Sequence, residues 1–234
     1  MDLRDKTCVV TGASRGIGRA LAELIVREGG SVAICGRDPA RLRETEAALR
    51  KVGGGRVLAV PCDVGQDEAV RRFTDAALDQ FKKVDLLVNN AAILAPRSPL
   101  KSTPVRTWEE VLRVNVIGTV NMIRRVLPSM EERGEGVIVN LSSGWGREAA
   151  GHVASYCASK FAVEAITQSL GEETTGGVIV FALNPGIIGT DMLAAAFEED
   201  ISGYPTPEDL GPHWLRLFRE VKPSWHGTSR DLQR

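Results

Sequence analysis

The sequence predicts a doubly wound α/β domain, a parallel sheet with helices on both faces. Short runs of continuous apolar residues alternate with segments of helical period along most of the chain, and strands separated by helices in this way pair in parallel through βαβ crossovers. The apolar runs do not alternate with polar residues, so both faces of the sheet are expected to be covered. At 234 residues the chain is long for one mixed domain and short for two. With no linker, repeat or low-complexity tract, residues 1–234 read as a single domain.

Taken in order, TCVVT (7–11) reads as the first strand. Gly16 to Glu28 follows as a helix, with Ile17, Leu21, Leu24 and Ile25 on one face and Gly29–Gly30 as its stop. SVAIC (31–35), VLAV (57–60) and DLLVN (85–89) are the next strands. The helices between them run from Pro39 to Val52, ended by the Gly53–Gly55 run, and from about Gln66 to Phe81. Thr107 and Glu110 have the spacing of a capping box and are expected to open a long helix to about Glu132. Pro128 is expected to bend or shorten its last turn. GVIVNLSS (136–143) is the fifth strand, the segment around Tyr156 a helix, and VIVFALN (178–184) the sixth strand. Thr206 and Pro207 supply the cap and first turn of a helix reaching about Glu220.

A formal net charge of −1 argues against a nucleic-acid or anionic-membrane partner. The segment MDLRDKTCVV lacks the pattern of a secretory signal, and no apolar stretch approaches the roughly 20 residues that cross a bilayer. Cys8, Cys35, Cys62 and Cys157 are scattered without a CxxC pair, as expected of buried free thiols in a reducing compartment, so a cytoplasmic location is expected. His152, His213 and His226 have no metal-ligand spacing, and no metal site is expected.

TGASRGIG (11–18) sits between the first strand and the first helix. In that place glycines permit a tight turn and close backbone approach, so that a pyrophosphate rests on the helix N-terminus. The spacing is Gly12-x-x-x-Gly16-x-Gly18. At the end of the second strand Arg37 precedes Asp38, and Asp38-Pro39 is itself a helix cap with proline in the first turn. Arg37, with Arg15 in the glycine turn, suits a ribose 2′-phosphate, so NADP(H) is expected over NAD(H).

SYCASK (155–160) sets Tyr156 and Lys160 one helical turn apart with only small residues between them. An ammonium about 4 Å from the phenol contributes roughly 4 kcal/mol at an effective dielectric of about 20. That is up to about three pKa units, enough to bring a phenol towards neutral pH before desolvation is counted. The expectation is therefore a tyrosine made acidic by its lysine, exchanging a proton with a substrate oxygen.

With TGASRGIG, NNAA (89–92), NVIG (115–118), LSS (141–143), Tyr156-x-x-x-Lys160 and NPG (184–186) with Thr190 in order, the chain from about Lys6 to Met192 resembles the short-chain dehydrogenase/reductase family, in its compact single-domain branch with a Rossmann fold. The resemblance implies a catalytic tetrad of Asn115, Ser143, Tyr156 and Lys160. It implies that Gly12, Ser14, Arg15, Gly16, Ile17 and Gly18 cradle cofactor phosphates and that Arg37 takes the 2′-phosphate. Asp63 and Val64 would edge the adenine, and Asn89 and Ala91 would line the adenosine ribose side. Pro185, Ile188 and Thr190 would hold the nicotinamide end, with Lys160 also on the ribose hydroxyls. The implied partners are a small carbonyl or alcohol substrate and further copies of the chain, as a homodimer or homotetramer through the helices opening near Thr107 and Tyr156.

Substrate contacts are expected from residues 93–99, 144–152 and 187–213, where Trp145, Met192, Leu193, Phe197 and Tyr204 stand beside Arg97 and Arg147. Two features depart from the family pattern. Ala92 replaces a glycine, and the polar tail SWHGTSRDLQR stands where an apolar seventh strand is usual, so that strand is expected to be short or unpaired. A non-catalytic sensor or scaffold on the same fold would need the glycine turn but not the tetrad. A sugar-nucleotide epimerase would need a larger C-terminal lobe, and a methyltransferase would leave Tyr156 and Lys160 idle.

Overall fold

In the computed structural model the first strand, β1 (Thr7–Thr11), lies at the middle of the sheet, and its residues divide between two cores. Cys8 and Val10 pack on one face with Leu21, Ile25 and Trp214. Val9 packs on the other with Phe73, Val126 and Met130. Both faces are covered and all five residues are buried, which is why the apolar run is unbroken. The structure describes residues 1–174, 176–197 and 200–233. Residues 198 and 199 of the expected substrate segment, and the last residue of the tail, lie outside them.

The sheet continues through β2 (Ser31–Gly36), β3 (Val57–Pro61), β4 (Leu86–Asn89), β5 (Gly136–Leu141), β6 (Val178–Asn184) and β7 (Thr228–Asp231). All pairings are parallel, in the order β3-β2-β1-β4-β5-β6-β7. The order reverses between β1 and β4, where the strand ends diverge into a crevice. The helices are α1 (Gly16–Arg27), α2 (Pro39–Val52), α3 (Asp67–Phe81), α4 (Val105–Leu112), α5 (Gly118–Arg133), α6 (Ala154–Glu173), α7 (Asp191–Phe197) and α8 (Gly211–Glu220). A π-helical segment, Arg113–Ile117, joins α4 to α5. All four cysteines are buried and free.

Several local expectations are corrected. Thr107 is not a cap: α4 begins earlier, at Val105, and the Thr107 N–H donates to the Pro104 carbonyl at 2.9 Å. Pro104, with its fixed φ, already sets the entry to the first turn. Pro128 does not shorten α5, which runs to Arg133, close to the expected end near Glu132, and stops at left-handed Gly134 (φ 68°). Arg133 holds that last turn by donating to the carbonyls of Ser129 at 2.7 Å and Val84 at 2.6 Å. At the C-terminus β7 is short and polar yet fully paired, Phe181 to Asn184 lying against Thr228 to Asp231. Asp231 and Arg147 meet at 3.1 Å, so its polar side chains find partners within the fold.

Two expected caps form. Asp38 accepts from the amides of Ala40 and Arg41, with Pro39 opening α2. Thr206 and Asp209 cap each other reciprocally, the Thr206 amide donating to Asp209 at 2.8 Å and the Asp209 amide to Thr206 at 3.3 Å. One 3₁₀ turn, Glu208–Leu210, then leads into α8.

Candidate active site

A cleft of about 790 Å³ opens at the carboxyl ends of the strands and runs from the glycine turn to Tyr156 and Lys160. Its floor depends on one close approach. Gly12 has φ +65° and lies where a Cβ would stand 2.7 Å from the Ala91 Cα, so only glycine fits there. Asn90 ties the two strand ends together, donating from its amide side chain to the carbonyls of Thr11 at 2.7 Å and Gly12 at 3.2 Å. In return the Thr11 hydroxyl accepts from the amides of Asn90 and Ala91. Arg15 occupies the N-cap of α1 without a side-chain cap, which leaves the opening amides of the helix to an anion from outside the chain.

Of the residues singled out from sequence, Gly12, Ser14, Arg15, Gly16, Ile17, Arg37, Asp63, Val64, Ala91, Pro185 and Thr190 line this cleft, together with Tyr156 and Lys160. Others stand behind the wall. Gly18 packs α1 against Asn90, whose amide a Cβ would strike. Asn89 is buried and donates to Asn140 at 2.8 Å. Ile188 belongs to the core beneath. The Asp63 carboxylate is held by Arg113 at 2.9 Å and by the Gly65 amide at 3.0 Å.

Among the lining residues not assigned to the site from sequence are Arg41, Ser142 and Asp191. Arg41 was within reach, because a cap at Asp38 places it in the first turn of α2. Asp191, at the start of α7, pairs with Arg15 at 3.2 Å and Arg41 at 3.9 Å. Arg37 pairs with Glu110 at 3.5 Å. That exposed cluster offers three guanidinium groups at the end of β2.

Tyr156 and Lys160 lie one turn apart on α6, as their spacing requires. The lysine Nζ sits over the phenol ring, 5.5 Å from its centroid, and donates to the Leu141 carbonyl at 2.6 Å. Lys160 is only 4% exposed. Burial lowers its pKa to about 8, against a smaller opposing pull from Glu164. Burial also pushes the Tyr156 hydroxyl above the ordinary phenol range, with the Ser143 hydroxyl pulling the other way. The expectation of a phenol made acidic by its lysine is therefore corrected for the chain by itself. Desolvation opposes the charged form of both groups, and it outweighs their attraction.

Ser143 ends the strand–turn connection after β5 and accepts the Trp145 amide at 3.2 Å. Asn115 lies within the π-helical segment, a local widening that frequently marks functional positions. Its side chain accepts from the Ile93 amide at 2.8 Å and donates to the Ile93 carbonyl at 3.0 Å and the Ser159 hydroxyl at 2.9 Å. It thus fastens the loop after β4 to α6 just beside Tyr156. Arg147 turns away from the cleft towards Glu164 and Asp231.

A parallel sheet whose strand order reverses beside a glycine turn, with half-buried Tyr156 and buried Lys160 across the crevice, is the architecture of a Rossmann-type dinucleotide oxidoreductase. The short chain dehydrogenase family model matches residues 6–201, and the chain belongs to that family. It is similar to the NADPH-dependent pterin aldehyde reductase of Arabidopsis thaliana, with 34% identity over 203 residues covering 87% of this chain and 83% of that one. A short chain dehydrogenase from Shigella flexneri 2a, solved in complex with NADP, is 30% identical with a TM-score of 0.90, over 100% of this chain and 99% of the other. A xylitol dehydrogenase solved with NAD⁺ bound is 25% identical with a TM-score of 0.88, over 99% and 98% of the two chains.

Proposed function

We propose that the protein is an NADP(H)-dependent reductase of carbonyl compounds, running also as an alcohol dehydrogenase, with Tyr156 as its general acid and base. The observation that carries this reading is the single cleft that holds the glycine turn, the arginine cluster and the Tyr156–Lys160 pair. The residues fit a phosphorylated dinucleotide. The close approach at Gly12 and the uncapped start of α1 suit the pyrophosphate. Arg37, with Arg15 and Arg41, suits the 2′-phosphate, which an acidic residue in their place would repel. Asp63, Val64 and Ala91 would border the adenosine, and Pro185 and Thr190 the nicotinamide. The resemblance to an NADPH-dependent relative and to an NADP complex supports the same choice.

When bound, the reduced nicotinamide supplies the hydride to the carbonyl carbon. The chain's own part is the proton and the charge. Burial keeps the Tyr156 hydroxyl protonated, which is the form needed to donate to a carbonyl oxygen as negative charge gathers there. Ser143 would hydrogen-bond the same oxygen. The Lys160 ammonium over the ring would offset the phenolate left behind. With its pKa near 8, it could pass a proton back at neutral pH. Asn115 would keep the loop and α6 in register around that transfer.

Ile117 and Phe161 are 48% and 43% exposed at the α4–α5 junction and on α6. They support the expected homodimer or homotetramer. The test of the reading is a panel of aldehydes, ketones and alcohols followed at the NADPH absorbance band, and repeated with NADH. Turnover with NADPH that exceeds turnover with NADH is expected. A protein that binds NADPH but turns over no carbonyl would instead be a cofactor-binding sensor.

A further inference from the structure

Trp145, Phe197 and Arg97 come from three separate segments and meet beside Tyr156. Trp145 follows Ser143 on the turn Gly144–Gly146 and stands edge-on to Tyr156, with ring centroids 6.1 Å apart and planes at 85°. Its ring is stacked with Phe197 at 5.7 Å and 25°. Phe197 is the last residue of α7, the short helix whose first residue is paired with Arg15. The Arg97 guanidinium lies 5.0 Å from the Phe197 ring centroid. Arg97 is exposed and has no carboxylate within ion-pair distance among the described residues.

We infer that this cluster selects a planar aromatic aldehyde or ketone bearing an acidic group, its ring stacked on Trp145 in the place Phe197 holds. The inference rests on the reductase reading and adds a substrate class to it. Trp145 is fixed at both ends of its surroundings, by the Ser143 contact on its backbone and by the edge of Tyr156. Phe197 is the movable partner, because it ends a helix of only seven residues whose start is held by two exposed ion pairs, Asp191 to Arg15 and to Arg41. A flat substrate ring makes the same offset stack and displaces Phe197 without leaving the tryptophan bare. A saturated ring of equal size lacks the π face that the stack requires. A ring in that place also has the Arg97 guanidinium beside it, which favours an aromatic face and pairs with a carboxylate on the ring. The turn that presents Trp145 also carries Ser143, so the carbonyl at the near end of such a ring is directed to the proton donor.

The experiment compares kcat/KM with NADPH for benzaldehyde, cyclohexanecarbaldehyde and 4-carboxybenzaldehyde. The wild-type protein is expected to favour benzaldehyde over its saturated counterpart. In Trp145→Leu that ratio falls by about tenfold, and Trp145→Phe restores most of it. 4-Carboxybenzaldehyde is preferred over benzaldehyde, and Arg97→Gln reduces that preference by about tenfold. Equal use of the aromatic and saturated rings, or parallel losses on both in Trp145→Leu, overturns the inference. In the second case Trp145 would serve only to support Tyr156. Turnover of aliphatic but not aromatic carbonyls also overturns it while the reductase reading stands. No turnover of any carbonyl overturns both.

Discussion

At the β2 end of the cleft the charged groups are exposed and paired with one another, whereas at the Tyr156 end they are enclosed. Arg15 and Asp191 have side chains 54% and 67% exposed, while Lys160 is 4% exposed. In the first region water screens each pair, so its members exchange partners at small cost and an incoming phosphate can replace a carboxylate. In the second, removal from water governs the titration of both groups. An attraction that looks decisive when two residues are placed side by side on a helix is then outweighed by the loss of solvent. The two ends of one site thus call for different physics, even though each consists of a few basic groups near an acceptor.

The largest effect expected on stability lies at the enclosed end. Lys160 titrates near 8 in the folded chain and near 10.5 when exposed. Between those values the unfolded chain binds more protons, so stability rises with pH across that window. Below pH 8 the burial cost is present in full, roughly 3 kcal/mol at 1.36 kcal/mol per pKa unit. Lys160→Met removes the charge. Urea unfolding should therefore show the variant's stability relative to wild type falling by roughly 3 kcal/mol from pH 7.5 towards pH 10.5 and above. A difference that stays flat with pH would break the contrast between the two regions.

Smaller effects belong to the exposed end. Arg37→Ala should lower the preference for NADPH over NADH, measured as a ratio of dissociation constants, by roughly tenfold, and less at high salt. An unchanged ratio would place the 2′-phosphate elsewhere. Asp191→Asn removes the carboxylate that occupies Arg15 and Arg41. It should tighten NADPH binding by about two- to threefold, the scale of one exposed ion pair. Weaker binding in that variant would mean that Asp191 helps to hold the cofactor instead of competing with it.

Much of this was legible in the sequence because it depends on local pattern. The unbroken apolar strands imply two covered faces, and the cores on either side of β1 account for them. The glycine turn and Arg37 stand at positions fixed by the strand that precedes each. Asp38 and Thr206 could be read as caps because a cap is made within three residues. What was not legible depends on distant packing. Arg133 ties the end of α5 to the Val84 carbonyl, 49 residues away along the chain, and no periodicity announces that bond. The π-helical segment around Asn115 goes with side-chain bonds to Ile93 and Ser159, 22 and 44 residues away along the chain. The polar β7 finds its partner in Arg147, 84 residues away along the chain. The raised pKa of Tyr156 is set by enclosure, which spacing on a helix does not reveal.

The account turns on Tyr156 as a proton donor kept in its neutral form by burial. The measurement that tests it most directly pairs the kcat of Tyr156→Phe, on the best carbonyl substrate, with its NADPH dissociation constant. A fall of roughly a thousandfold in kcat, with cofactor affinity within about threefold of wild type, is the predicted result. Retention of a tenth or more of the wild-type kcat would remove Tyr156 from the chemistry and contradict the account.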